Sequence, residues 1–396
     1  MGDDDLVQAL RAICGEAGVL AGADLATRAG DWLGLMPCRA RAVALPRTTA
    51  EVSAVMRLCH DRGQPVVAAG GLTGLVHGAD AGPDDVQLSF ERMRALGPID
   101  PLGRTLVAEA GVPLQAVHEE AGQHGLIYAV DLGARGSATV GGTISTNAGG
   151  NQVVRYGMTR DNILGLEVVL ADGTVLSTMN HLIKNNAAYD LKQLFIGSEG
   201  TLGLVTRAVL KLHPRPRSQS TALLAVDSFA AVEGLFRECG ARLGAGLTAF
   251  EVMWHNHYQL IAQDSGRHQP PLPGHHGWYV LVEASGMDSE RDEEHFVALM
   301  ADLMAQGLAA DAVVATSLAQ SRALWAIRDL PGLAGIAFDD ALLARAERSR
   351  FAPVRAQALR LRAQRPDAGY ADRVRASLLD THPSVRSVAT FAARTL

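Results

Sequence analysis

The chain has 396 residues, 48% hydrophobic and 20% charged, enough for two domains of ordinary size and too apolar for a largely disordered chain. Its formal charge of -6 carries no basic excess, which argues against nucleic acid as the main partner. Glycine is the outlier at 41 residues, gathered in short loops where a backbone can approach a ligand closely. Cys14, Cys38, Cys59 and Cys239 form no CxxC pair or metal-ligand spacing, so no metal site is expected. The acidic start Met1-Gly2-Asp3-Asp4-Asp5 lacks the positive charge of a secretory signal, and a reducing cytoplasm is expected. No apolar run approaches the roughly 20 residues of a membrane span.

From Thr49 the pattern predicts a helix with Val52, Val55, Met56 and Cys59 on one face, ending near Gly63. A buried strand, Pro65–Ala69, runs into a glycine loop. Thr105–Gly111 reads as a strand, Pro113–His124 as a helix, and Leu166–Leu170 with Thr174–Leu176 as a hairpin turning at Asp172-Gly173. Val205–Leu212 is a further strand. Pro214-Arg215-Pro216-Arg217-Ser218 then looks like a linker, placing a domain boundary there. Beyond it, strands are expected at Ala222–Val226, Phe250–Met253 and Trp278–Glu283, with helices at Phe229–Leu243 and Ser289–Gln306.

Residues 341–396 differ in kind: eleven arginines, no lysine, four acids and one glycine, Gly369. A basic amphipathic helical tail is one reading; a sequence not shaped by the same fold is the other. With few large apolar residues to bury, this tail is expected to pack poorly and to be trimmed first by protease.

No GxGxxG follows a strand, and no GxxxxGK[ST] exists among only three lysines, Lys184, Lys192 and Lys211. A nicotinamide-binding Rossmann domain and a P-loop are therefore not expected. Two other glycine loops stand out. Ala69-Gly70-Gly71-Leu72-Thr73-Gly74-Leu75-Val76-His77-Gly78 follows a strand and leaves backbone N–H groups free to converge on an anion. The block from Asp131 to Gly150 adds Ser137, Thr139 and Asn147 among Gly133, Gly136, Gly141, Gly142, Gly149 and Gly150. Either loop alone reads equally well as a structural turn. Together in one domain they point to a pyrophosphate.

These loops, preceded by Pro46-Arg47-Thr48-Thr49-Ala50-Glu51-Val52, are followed by Arg155-Tyr156-Gly157 and Lys184-Asn185-Asn186. Tyr189-Asp190-Leu191 and Gly197-Ser198-Glu199-Gly200-Thr201-Leu202-Gly203 complete the series. In this order they resemble the flavin domain of the vanillyl-alcohol oxidase / p-cresol methylhydroxylase superfamily. The branch is that of the D-lactate and D-2-hydroxyglutarate dehydrogenases and the glycolate oxidase flavin subunit, and the match runs from about Arg39 to Pro214. The resemblance implies an α+β chain: a two-subdomain FAD-binding domain at 38–215, a substrate-cap domain at 219–340, incomplete relative to the family, and the atypical tail at 341–396. It implies FAD, with Gly70, Gly71, Thr73, Gly74 and Leu75 forming the first phosphate loop. Ser137, Thr139, Gly142, Asn147 and Gly149 would form the second contact set, with Val205 near the adenine side. His77 stands where the branch has glycine, which leaves covalent flavin attachment open.

The cap resembles the family in Phe250-Glu251-Val252-Met253-Trp254, Trp278–Glu283 and Leu324-Trp325-Ala326-Ile327-Arg328. The resemblance implies that Arg328 holds the substrate carboxylate in a bidentate clamp; a surface helix charge is the plainer reading of that arginine. There the likeness stops. The branch continues with Gly-His-x-Gly-Asp-Gly-Asn-x-His and a later Glu-His-Gly, which supply metal ligands and the base for the hydroxyl proton, and this sequence has neither. His255, His257, His275 and His276 are thin substitutes. The catalytic base is therefore unassigned, and the break near residue 340 suggests an altered carboxyl end, such as a shifted reading frame in a GC-rich gene.

The expected activity is FAD-dependent oxidation of a D-2-hydroxy acid of lactate, glycolate or 2-hydroxyglutarate type. Hydride would pass to flavin N5 and the electrons to an unidentified acceptor other than NAD. FAD binding is expected with weak or absent turnover. The alternatives are a flavin-binding protein without turnover, decayed or a partner subunit, and a flavin reductase using NADPH. A homo-oligomer is left open.

Overall fold

The computed structural model describes residues 3–30, 37–264, 269–328, 340–349, 352–364 and 367–393, in two compact units, Met1–Leu330 and Pro331–Leu396. The first unit opens with α1 (Asp3–Cys14), β1 (Val19–Ala21), β2 (Ala42–Ala44), α2 (Thr49–Asp61), β3 (Val66–Ala69) and β4 (Val86–Ser89). The strands form one sheet in the order β1-β2-β4-β3, with β2 and β3 both parallel to β4. Thr48 caps α2 by accepting from Glu51 N, and the four residues expected on one face, Val52, Val55, Met56 and Cys59, are its buried ones. Each such side chain contributes roughly 1.5–3 kcal/mol on burial.

Next come β5 (Thr105–Glu109), α3 (Leu114–Gln123), β6 (Leu126–Ile127), α4 (Val140–Ser145), α5 (Val153–Tyr156), β7 (Ile163–Val169), β8 (Val175–Ser177), α6 (Lys192–Phe195) and β9 (Leu204–Lys211). An antiparallel sheet of order β5-β9-β7-β8 forms, and β7 turns into β8 around Asp172 and Gly173 as expected. The two sheets are tied through Glu167, whose Oε1 accepts from Thr49 of α2 at 2.6 Å and from Thr206 of β9 at 3.1 Å.

The Pro-Arg stretch expected as a linker is bonded in place. The short strand β10 (His213–Pro214) pairs with β6, Arg215 N donates to Gly125 O, and Arg217 N donates to Gly286 O. A third sheet follows from β11 (Ser218–Val226), β12 (Leu247–Trp254), β13 (Trp278–Gly286) and β14 (Asp311–Val314), in the order β12-β13-β11-β14. On one face, α7 (Phe229–Leu243) and α9 (Ser289–Ala305) cover Ala222, Leu224, Val226, Val280 and Val282. The opposite face, with Thr221, Leu223, Leu281 and Glu283, is buried too, and α10 (Leu318–Arg328) lies on it. Between β12 and β13 sits the short α8 (His255–Tyr258).

The second unit corrects the expectation of a poorly packed tail. It holds α11 (Asp340–Glu347), α12 (Ala352–Gln364), α13 (Tyr370–Leu378) and α14 (Pro383–Ala392). Leu359, Tyr370, Val374, Ala389 and Ala392 form a small core, in which alanine lets helices approach closely where large side chains are scarce. Some of its arginines are paired locally: Arg362, only 4% exposed, pairs with Glu347 and Asp367, and Arg355 pairs with Asp380. Among the described residues, no helix is long and apolar enough to cross a membrane.

Candidate flavin and substrate site

A cavity of about 370 Å³ opens where the first glycine loop meets α4 and the start of β9. Eight residues singled out from the sequence line it: Gly70, Gly71, Thr73, Gly74, Leu75, Thr139, Gly142 and Val205. Ser137, Asn147, Gly149 and Arg328 do not. Sequence reasoning did not single out Phe90, Leu132, Glu199 and Leu204 on the same wall; of these, Leu132 lay inside the Asp131–Gly150 block and Glu199 inside the Gly197–Gly203 motif.

The glycines of the first loop do different work. A Cβ on Gly70 would crowd Thr139 Oγ1 at 2.6 Å, and one on Gly71 would overlap the carbonyl oxygen of Ser137. These two positions let the first loop lie against the second. A Cβ on Gly74 would meet nothing within 4 Å, so there the missing side chain leaves open space. Thr139 is spent locally: its Oγ1 caps α4 by accepting from Gly142 N at 3.2 Å. Asn147, at φ +46°, accepts from Arg160 N through Oδ1 at 3.0 Å, which fixes the turn after α4. A cradle of bare backbone with apolar walls, rimmed by the exposed Leu75 and Val76, fits a large ligand with a pyrophosphate and an apolar ring.

The other candidate, Arg328, closes α10 on the third sheet. Its Nε donates to Glu251 Oε2 on β12 at 2.8 Å, both side chains being partly exposed. On the neighbouring strand, Glu283 is 2% exposed and accepts through Oε2 from Trp325 Nε1 and Gln219 Nε2, each at 2.7 Å, and from Thr221 Oγ1 at 3.3 Å. Burial raises this carboxyl above the ordinary glutamate range; those three donors pull it back, and the charge of Asp131 adds to the rise. Arg155 of α5 donates to Ser285 O at 2.6 Å, so the end of β13 is bonded directly to the flavin-loop half of the unit.

Three of the four histidines weighed as metal ligands have other partners. His276 pairs with Asp227 at 2.8 Å, His255 meets the His276 carbonyl at 3.2 Å, and His257 meets the Ile327 carbonyl at 2.9 Å. Among the described residues no group of three or more His, Cys, Asp or Glu could hold a metal ion.

Comparison with known proteins agrees with this layout. Residues 40–179 match the FAD binding domain family, and residues 215–334 match the FAD linked oxidases, C-terminal domain. The chain is 39% identical over 299 residues to a mitochondrial D-2-hydroxyglutarate dehydrogenase of Bos taurus, covering 76% of this chain and 55% of that one. It is 39% identical over 307 residues to a D-2-hydroxyglutarate dehydrogenase of Xanthomonas citri pv. viticola, covering 78% and 64%. With a D-2-hydroxyglutarate–pyruvate transhydrogenase of Saccharomyces cerevisiae it shares 35% over 305 residues, covering 77% and 62%. The chain thus spans between 55% and 64% of the length of these relatives. In fold it is similar to 4-ethylphenol oxidase from Gulosibacter chungangensis, at TM-score 0.66 and 19% identity over 83% of this chain and 69% of that one. It is also similar to p-cresol methylhydroxylase, at 0.65 and 16% over 84% and 71%. The chain carries an FAD-binding domain and an FAD-linked oxidase C-terminal domain on a p-cresol methylhydroxylase-type fold, and its cofactor is FAD.

Proposed function

We propose that this chain oxidises a D-2-hydroxy acid of lactate, glycolate or 2-hydroxyglutarate type to the 2-oxo acid and passes the electrons to an acceptor other than NAD. The observation that carries the reading is Arg328, held by Glu251 on a sheet bonded through Arg155 to the half of the unit that contains the flavin cavity. The names of the relatives support the same substrate class. Bound FAD supplies the acceptor for two electrons and the C2 hydrogen. The backbone of Gly70–Leu75 and of the Thr139–Gly142 turn would hold its pyrophosphate. Arg328 would fix the substrate carboxylate through the planar guanidinium fork. The hydroxyl proton must also leave, and among the described residues none is assigned as its acceptor. Four buried free thiols are in keeping with a reducing compartment, and we propose the cytoplasm.

The test is anaerobic addition of D-lactate, glycolate and D-2-hydroxyglutarate to the purified yellow protein, followed by flavin absorbance. Bleaching by at least one acid is expected. A flavin spectrum unmoved by all three would overturn the reading in favour of a flavin-binding protein without turnover, and bleaching by NADPH alone would identify a reductase.

A further inference from the structure

Helix α10 crosses three adjacent strands, and on each it finds one polar partner. Ser321 Oγ lies 2.7 Å from Thr221 Oγ1 on β11, Trp325 Nε1 donates to Glu283 on β13, and Arg328 Nε donates to Glu251 on β12. Ser321, Trp325 and Arg328 are spaced four and three residues apart, so they form one stripe along the helix. The strands are in register beneath them: Thr221 is opposite Glu283, and Glu251 is opposite Leu281, two residues along β13.

Glu283 is the central rung and the only fully buried acid of the three strands' contacts with α10 among the described residues. A buried carboxyl is expensive, and an apolar residue of similar size would pack at lower cost. What the acid adds is position. Its Oε2 draws Gln219, Thr221 and Trp325 to a single point, fixing how far α10 is rotated over the sheet one turn before Arg328. We propose that Glu283 is a positioning residue for Arg328: by anchoring Trp325 it sets the angle at which the guanidinium faces a substrate carboxylate. This rests on the reading of Arg328 given above, while the anchoring itself does not.

Three variants of the FAD-loaded chain, Glu283→Leu, Glu283→Gln and Trp325→Phe, test it through two measurements. The first is the Kd of a D-2-hydroxy acid or its 2-oxo product, read as a perturbation of the flavin spectrum. The second is hydrogen exchange of the amides of residues 321–328. Glu283→Leu and Trp325→Phe should each weaken binding by about tenfold or more and speed exchange, with flavin content unchanged. Glutamine keeps an acceptor for Trp325, so Glu283→Gln should stay within about threefold of wild type. Wild-type Kd together with wild-type exchange in Trp325→Phe would overturn the proposal, and that variant keeps the test alive if Glu283→Leu fails to fold. If wild type shows no perturbation by any acid, the functional reading fails, and exchange alone decides the anchor: unchanged rates in Glu283→Leu and Trp325→Phe reject it.

Discussion

Gly71 lies so close to the carbonyl of Ser137 that any side chain at 71 would overlap its oxygen, whereas three residues on, Gly74 faces open space. The two glycines therefore answer to different constraints, loop against loop and loop against ligand. Gly71→Ala should destabilise the apoprotein by about 1–3 kcal/mol, the range for overpacking, seen as a lowered Tm. Gly74→Leu should leave the apoprotein's Tm at the wild-type value and abolish flavin retention. Wild-type FAD content in Gly74→Leu would mean that the pyrophosphate lies elsewhere.

Arg328 donates its Nε to Glu251, and its planar fork is the group proposed to hold a substrate carboxylate. Lysine offers a single ammonium, which cannot hold Glu251 and a ligand in the same planar arrangement. Arg328→Lys should weaken hydroxy-acid binding about tenfold or more, with FAD per chain unchanged. Equal Kd values in the two proteins would return Arg328 to the role of a helix-end charge.

His77 holds φ +61°, a conformation that favours glycine, and pairs with exposed Asp80 at 2.8 Å. It does not line the cavity, although Val76 and Gly78 do. His77→Gly should leave FAD content unchanged and shift stability by no more than about 1 kcal/mol. Acid precipitation of the wild type should release all the flavin into the supernatant. Flavin that stays with the pellet, and is freed by His77→Gly, would mean a covalent bond at that ring.

The pH dependence should carry the mark of His213. Its Nε2 donates to Asn162 Oδ1 at 2.8 Å, since the Asn162 amide nitrogen is occupied by the Tyr156 and Met158 carbonyls. Burial, followed by the charges of Lys211, Arg104 and Arg155, lowers its pKa to about 4. The unfolded chain, with a histidine pKa near 6.5, binds the proton first on acidification. This contribution to stability is complete above about pH 6.5 and is lost as pH falls toward about 4. His213→Gln should therefore show a smaller drop in Tm between pH 7 and pH 5 than wild type. Equal drops would place the acid sensitivity elsewhere.

The sequence by itself determined the local elements and the chemistry of the first loop. The face of α2, the hairpin at Asp172-Gly173 and the helices at Phe229 and Ser289 follow from apolar period, caps and turn residues, all local signals. The flavin loops were legible only as a pair, since either glycine loop alone reads equally well as a structural turn. What only the tertiary structure decided is pairwise and distant. That Gly71 is held by Ser137 while Gly74 is open depends on two loops 66 residues apart. That Ser321, Trp325 and Arg328 each meet a different strand depends on the register of a sheet, which no spacing within α10 encodes. The carboxyl-terminal helices misled the composition argument for the same reason. Arginine pairing and alanine packing are settled by which helices meet, and composition counts residues without saying which of them touch.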